Sequence, residues 1–211
     1  MPQQEKTFGL SKARLEALTD GVFAIAMTLM VLNIEVPAHT EVKTSLDLWR
    51  ALLALWPQLF NYGLCFAILM SMWQRGNRQH TRLKTVTPTY TSNMLVTLMF
   101  VCLLPFSTSL MGDYPGLAVG EAVFHVNLLA LGLLAWLRYV HIRRHDHLLH
   151  NQQPTDDEPG LGAQLFIMYM GVPLLALAVT PIAPSYSTMS YLLLPLIALR
   201  HRSQRNEEDT G

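Results

Sequence analysis

Apolar residues in this chain are gathered into six long blocks, at about 16–36, 48–73, 90–111, 118–140, 161–181 and 184–200. Each has the length that carries a helix across a hydrocarbon core, roughly 17–25 residues. None shows the period-two alternation of a barrel strand, and lipid offers no partner to open backbone groups, so helices are predicted. The predicted fold is all-α: a polytopic membrane protein with six transmembrane helices, one unit over 1–202, and a polar tail at 203–211. Only the Pro181–Pro184 turn separates the last two blocks, which predicts a tight helical hairpin. Gly112-Asp-Tyr-Pro-Gly116 has turn chemistry, 37–47 and 74–89 read as polar connections, and 145–160 closes with the acidic Asp156-Asp-Glu-Pro-Gly160 linker. Prolines 57, 105, 173 and 195 interrupt four blocks and are expected to kink them, with Ser107 and Thr108 placed to compensate Pro105.

Composition supports this class. Charged residues make up 14% of the chain and mean hydropathy is +0.26, against roughly 25% charged in a soluble domain. Lysines and arginines balance aspartates and glutamates at 15 each, so net charge predicts no nucleic-acid partner. Their distribution sets the topology. Thirteen of the fifteen basic residues, all except Lys43 and Arg50, fall before the first block, between the second and third, near or beyond the end of the fourth (Arg138, Arg143, Arg144), or at or beyond the end of the sixth (Arg200, Arg202, Arg205). The positive-inside rule then puts both termini in the cytoplasm. No cleavable signal peptide is expected, because the first block starts late, follows an acidic residue and is too long. Cys65 and Cys102 lie inside blocks and read as small packing residues.

The first block carries the most informative pattern. Asp20 opens it, and from Gly21 to Leu32 the only polar side chain is Thr28. An unpaired charge at the bilayer centre costs roughly 2.5–3.5 kcal/mol, so Asp20 needs a partner, and Arg14 is the nearest cation in sequence. At about 100° per residue, Ile25, Leu29 and Leu32 lie about 140°, about 180° and about 120° from Asp20. They form one apolar stripe, and Asp20 projects elsewhere. Such a stripe is ordinarily a helix–helix or lipid contact. Contributed by several subunits around an axis, it would form a constriction that gates by dewetting.

The run Arg14-x-x-x-Leu18-Thr-Asp-Gly-Val-Phe-Ala-Ile-Ala-Met-Thr-Leu resembles the opening of the transmembrane-protein-175 family of potassium channels (the lysosomal potassium channel family), in its prokaryotic branch. That signature is an arginine, three residues, then Phe-Ser-Asp. Asn93 with Leu103-Leu-Pro-Phe-Ser-Thr-Ser109 is similar to the family's third span, and Val123-Phe-His-Val-Asn-Leu-Leu129 to its fourth. The resemblance covers roughly residues 11–145. It implies homotetramers of six-helix subunits in which the first helices line a central pore for K+. No Thr-Val-Gly-Tyr-Gly filter loop occurs in the chain. By distance from the motif aspartate, the implied constriction is Ile25, Leu29 and Leu32, with Ile25 narrowest. Thr28, Arg14, Thr19, Asp20 and Gly21 are implied to support the pore helix, Arg14 and Asp20 through buried bonds to the second and third helices. Trp73, Asn77 and Asn93 belong to the implied inter-helix network. The chain departs from the pattern at Leu18, at Thr19, and at Gly76, where the family usually has histidine.

The remaining signals are weak. His141, His145, His147 and His150 have spacing compatible with zinc, but no cysteine or carboxylate completes a site and Arg143 and Arg144 oppose a cation. A solvated basic helix end is the simpler reading. No nucleophile–base pair, phosphate loop or zincin motif is present, so no enzyme and no cofactor beyond permeant K+ is expected. The expected function is a potassium-selective channel of the plasma (inner) membrane, with lipid, K+ and copies of itself as partners. The rival is a secondary transporter or proton-coupled carrier using Asp20, and a third reading is a non-conducting membrane protein.

Overall fold

The computed structural model describes residues 11–37, 42–114, 116–145 and 166–192. Every regular element among them is helical. Helix α1 (Lys12–Leu29) begins at Ser11, whose hydroxyl accepts from Arg14 N, and tightens into a 3-10 turn at Met30–Asn33. Helix α2 (Ser45–Ala54) starts with a reciprocal capping box between Thr44 and Asp47. Helices α3 (Trp56–Arg82), α4 (Pro88–Asp113) and α5 (Ala118–Arg144) are the long members. A π-helical turn, Ile167–Gly171, leads into α6 (Val172–Val179), and α7 (Pro184–Ser187) continues as a 3-10 turn to Leu192.

Among the described residues three helices are long and apolar enough to cross a membrane, and a fourth crossing arises if α2 and α3 act as one bent span. The second block is therefore not one straight helix. It breaks at Leu55 with a 45° bend, because Pro57 cannot donate to the Leu53 carbonyl and the chain tightens locally through Leu55 N to Leu52 O at 3.2 Å. Helix α3 also runs nine residues past the expected end at 73, to Arg82. Residues 74–82 are polar but rich in helix formers; polarity limits the hydrophobic block, not the helix. The end of α3 is capped by Lys12 Nζ, which donates to Leu83 O at 2.8 Å. Of the expected Gly112–Gly116 turn, Gly112 and Asp113 remain in α4, residue 115 lies outside the described residues, and the chain turns with Gly116 at φ 82° and Leu117 N donating to Tyr114 O at 3.2 Å. Residues 161–165 and 193–200, with Pro195 and the Asp156–Glu158 linker, lie outside the described residues.

Helices α4 and α5 form the most extensive pair, and α1 packs on α4 and α3. The main core joins Phe23, Ala26 and Met30 of α1 to Leu69 of α3, Val101 and Leu104 of α4, Phe124 and Leu131 of α5, and Ala176 and Tyr191. A second cluster of Leu15, Leu83, Tyr90, Met94 and Ile142 closes the other end. Several polar groups inside the bundle are partnered. With its amide set by the surrounding donors and acceptors, Asn127 accepts from Ser107 Oγ (3.1 Å) and Leu104 N (3.3 Å) and donates to Phe100 O (3.3 Å), beside the Pro105 interruption. Ser107 and Thr108 both donate to Leu104 O, at 3.0 and 2.8 Å. They do not reach the Val101 carbonyl that Pro105 leaves without a donor. Glu121 accepts from Thr188 Oγ1 (2.9 Å) and Ser187 Oγ (3.3 Å), while His125 bonds Ser187 (2.8 Å) and Tyr191 (3.0 Å), tying α5 to the last turn.

Two glycines contrast. Pro173 leaves the Tyr169 carbonyl without its i+4 donor, and α5 passes against that carbonyl at Gly132, where an added Cβ would overlap it. At Gly76, in the interior of α3, no atom lies within 4 Å of the place a Cβ would take. Gly132→Ala is expected to cost about 1–3 kcal/mol through overpacking. Gly76→Ala should gain up to about 1 kcal/mol from helix propensity. Thermal melts in detergent would show opposite shifts; equal shifts would contradict this packing.

Candidate functional site

Helix α1 presents two unlike faces. Leu15, Thr19, Phe23, Ala26 and Met30 recur at i+4 and i+3 spacing and are buried against α3 and α4. The opposite face is uncovered and apolar: Ile25 is 59% exposed, Leu29 45% and Leu32 74%. Leu18 is exposed one turn before Gly21, which has no neighbour where a Cβ would stand. Among these side chains Thr28 is the polar one, and its hydroxyl is spent on the helix itself, donating to Ala24 O (3.0 Å) and Ile25 O (2.9 Å). The uncovered face thus offers methyl groups between Gly21 and Leu32, with no free side-chain donor and the Thr28 hydroxyl oxygen as its one side-chain acceptor.

Asp20 sits at the head of this face, and its partner is Trp73, whose indole Nε1 donates to Asp20 Oδ1 at 2.8 Å. That bond fixes the rotation of α1 relative to α3. Arg14 does not pair with Asp20. It is exposed, and the ion pairs among the described residues join other groups. Six residues put Arg14 about 120° away from Asp20 around the helix, whereas Trp73 reaches Asp20 across the α1–α3 contact. Thr19 is buried and donates to Leu15 O at 2.8 Å, so its hydroxyl stays within α1.

The rest of the expected inter-helix network is dispersed. Asn77 is half-buried and forms no hydrogen bond with a described residue. The Asn93 side-chain Oδ1 is buried without a donor, while its main-chain carbonyl accepts from Thr97 at 2.8 Å. Asn33 supplies a tie that sequence reasoning missed: its Nδ2 donates to Pro105 O at 2.8 Å, fastening the far end of α1 to α4 at the proline break. An amide closing an apolar run was the available signal. Trp73 holds α1 at its middle, and Asn33 fastens the 3-10 turn that follows it.

No group of three His, Cys, Asp or Glu side chains that would hold a metal occurs among the described residues. His141 and His145 stack with ring centroids 4.5 Å apart, but His141 Nε2 meets Thr87 Oγ1 at 3.0 Å and His145 Nδ1 meets His141 O at 2.9 Å. Those ring nitrogens are occupied, and His147 and His150 lie outside the described residues. Outside the helices' apolar bodies, the Thr44 hydroxyl and the 44 backbone N–H hold the Asp47 carboxyl below its usual range. A depressed carboxylate stabilises above its unfolded pKa, and that contribution disappears as pH falls through the folded value.

Comparison with known proteins places this arrangement. The family model for the endosomal/lysosomal potassium channel TMEM175 matches residues 14–105. A potassium channel of Chamaesiphon minutus is 34% identical over 151 residues, 70% of this chain and 71% of the relative. A potassium channel of Streptomyces collinus is 31% identical over 154 residues, 71% of this chain and 72% of the relative. The endosomal/lysosomal proton channel TMEM175 of Danio rerio is 25% identical over 189 residues, 89% of this chain but 36% of that longer protein. Among solved structures, the lysosomal potassium-selective channel TMEM175 homolog from Chamaesiphon minutus superposes with a TM-score of 0.73 at 29% identity, covering 90% of this chain and 97% of the other.

If the Trp73–Asp20 bond sets α1, Trp73→Phe should lower stability by about 1 kcal/mol, the scale of a partly exposed bond to a charged acceptor. Asp20→Asn in the Trp73→Phe background should then cost less than in the parent, as read in a double-mutant thermal cycle. Strict additivity would show that the two side chains do not act together.

Proposed function

The chain belongs to the TMEM175 potassium channel family, and we propose that its copies assemble as a tetramer with the uncovered face of each α1 turned to a central K+ pore. The observation that carries this reading is the exposure of Ile25, Leu29 and Leu32 on one side of a helix whose other side is fully seated. Four such faces around an axis make a pore wall of branched methyl groups. A ring of methyl groups cannot replace a hydration shell, so it discriminates by width and by the cost of wetting a narrow apolar passage. Ile25 forms the narrowest ring, Leu29 and Leu32 widen it toward the Asn33 end, and Thr28 lies beside the ring with its hydroxyl turned into the helix.

Asp20 is then a positioning residue. Its bond to Trp73 holds the rotation that aims Ile25 at the axis, with Thr19 and Gly21 flanking it, Arg14 at the basic helix entrance, and Asn77 and Asn93 along the contacting helices. The remaining spans complete a six-helix subunit with both termini on the basic, cytoplasmic side, in the plasma membrane. Neither a reaction nor a bound cofactor enters this mechanism; K+ is the cargo.

Two measurements test it. In planar bilayers or liposome flux, Ile25→Ala and Ile25→Asn should each lower potassium-over-sodium selectivity, Asn more, since an amide lets the ring wet; unchanged selectivity in both would remove Ile25 from the constriction. The carrier alternative, in which Asp20 moves protons, is favoured only by the acid's place at the head of the span. Under it Asp20→Asn abolishes coupled, saturable exchange while the fold persists. Under the pore reading Asp20→Asn lowers stability and a unitary current remains.

A further inference from the structure

Helix α5 carries an arginine inside the bundle. Arg138 is only 6% exposed. Its Nη1 donates to Thr97 Oγ1 at 3.3 Å and lies 2.9 Å from Met94 Sδ, a weak acceptor, while its Nε is buried with no acceptor at all. Among the described residues Glu16 meets Lys12 and Glu121 lies 3.8 Å from His125, so no described carboxylate answers Arg138. A second arginine, half-buried, stands nearby: Arg75 of α3 lies over the Tyr169 ring at 5.6 Å, and its Nη2 approaches Met168 Sδ at 3.9 Å. The Tyr169 hydroxyl is also buried without a partner.

These groups surround one cavity of about 30 Å³, lined by Arg75, Gly76, Gln79, Trp136, Arg138 and Tyr169, with Met72 and Ala135. Two arginines, a tyrosine and a glutamine line it, and no acid among the described residues does. Gly76 provides the room, since nothing lies within 4 Å of where its side chain would begin. Water in the cavity would satisfy hydrogen bonds but leave the charge of Arg138 uncompensated, and an unpaired buried cation is costly. An oxyanion does both. The cavity lies roughly 10 Å inside the basic ends of α3 and α5, from the helical rise to Arg82 and Arg144, the depth of an interfacial phosphate. Its volume admits the oxygens of a phosphate while any larger substituent stays at the mouth.

We propose that this cavity is a phosphate-binding site, in which Arg138 and Arg75 clamp a phosphate oxyanion and Tyr169 and Gln79 complete its hydrogen bonds. The phosphate comes from an acidic phospholipid of the adjoining leaflet or from free inorganic phosphate. The site is separate from α1 and stands whether or not Ile25 forms the constriction.

The test uses the full chain, purified and titrated with phosphatidylglycerol or phosphatidylcholine under native mass spectrometry. In parallel, thermal melts in phosphatidylcholine nanodiscs compare inorganic phosphate with chloride at matched ionic strength. Gly76→Leu fills the cavity without touching an arginine, and Arg75→Gln removes one clamp; both are checked for helicity and oligomeric state, whereas Arg138→Gln risks the fold. A preference for phosphatidylglycerol of about tenfold, falling to the phosphatidylcholine level in both variants, assigns the site to lipid. A phosphate-specific rise in melting temperature that both variants lose, with no lipid preference, assigns it to the free anion. The proposal is overturned if neither ligand is preferred by the parent protein, or if the preference survives Gly76→Leu and Arg75→Gln unchanged.

Discussion

The seating of α1 on α3 and α4 is the constraint on which the rest depends. A helix in a bilayer satisfies its own backbone, so its orientation about its axis is decided by side chains alone. Here the decision is made by a buried row from Leu15 to Met30 and by two polar ties, Asp20 with Trp73 at mid-helix and Asn33 with the Pro105 carbonyl beyond its end. Between these ties Thr28 is the one polar side chain of the outward face, and its proton is donated within the helix. A rotation of one residue, about 100°, would bury the wrong side of the helix and turn Thr19 or Phe23 outward.

The same economy governs polar groups deeper in the bundle. Glu121 and His125 are tolerated because hydroxyls of the last described turn surround them. Asn127 is tolerated because it fills bonds beside a proline. Arg138 departs from this pattern, since sulfur and one hydroxyl do not neutralise a guanidinium. Proline breaks recur where such contacts are made: Pro105 meets Asn33 and Asn127, and Pro173 frees the carbonyl against which Gly132 lies. The breaks are points of inter-helix bonding, which explains why an apolar bundle accepts them.

Family membership and fold agree with this physical picture at different levels. The relatives named as potassium channels match over about seven tenths of both chains, and the structural likeness covers 90% of this chain. The pore role proposed for α1 rests instead on the exposure of Ile25, Leu29 and Leu32.

Much was legible in the sequence. Apolar blocks long enough to span lipid announce helices whatever packs against them, and α4 and α5 begin and end close to where the blocks do. Helical periodicity likewise placed Ile25, Leu29 and Leu32 on one side of α1, because that relation is local to a single helix. What pairs with Asp20 was not local. Sequence proximity suggested Arg14, but the partner is Trp73, brought there by the α1–α3 contact. The break at Leu55 and the extension of α3 to Arg82 also escaped the hydropathy pattern, which marks the limits of lipid and not those of hydrogen bonding. The convergence of Arg75, Arg138 and Tyr169 on the space beside Gly76 belongs to no single segment. The sequence by itself determined which stretches are helical and which face of each is apolar, since both follow from interactions within a few residues. Only the tertiary structure decided which faces are covered and which charges find partners, because those depend on distances between helices that no spacing along the chain encodes.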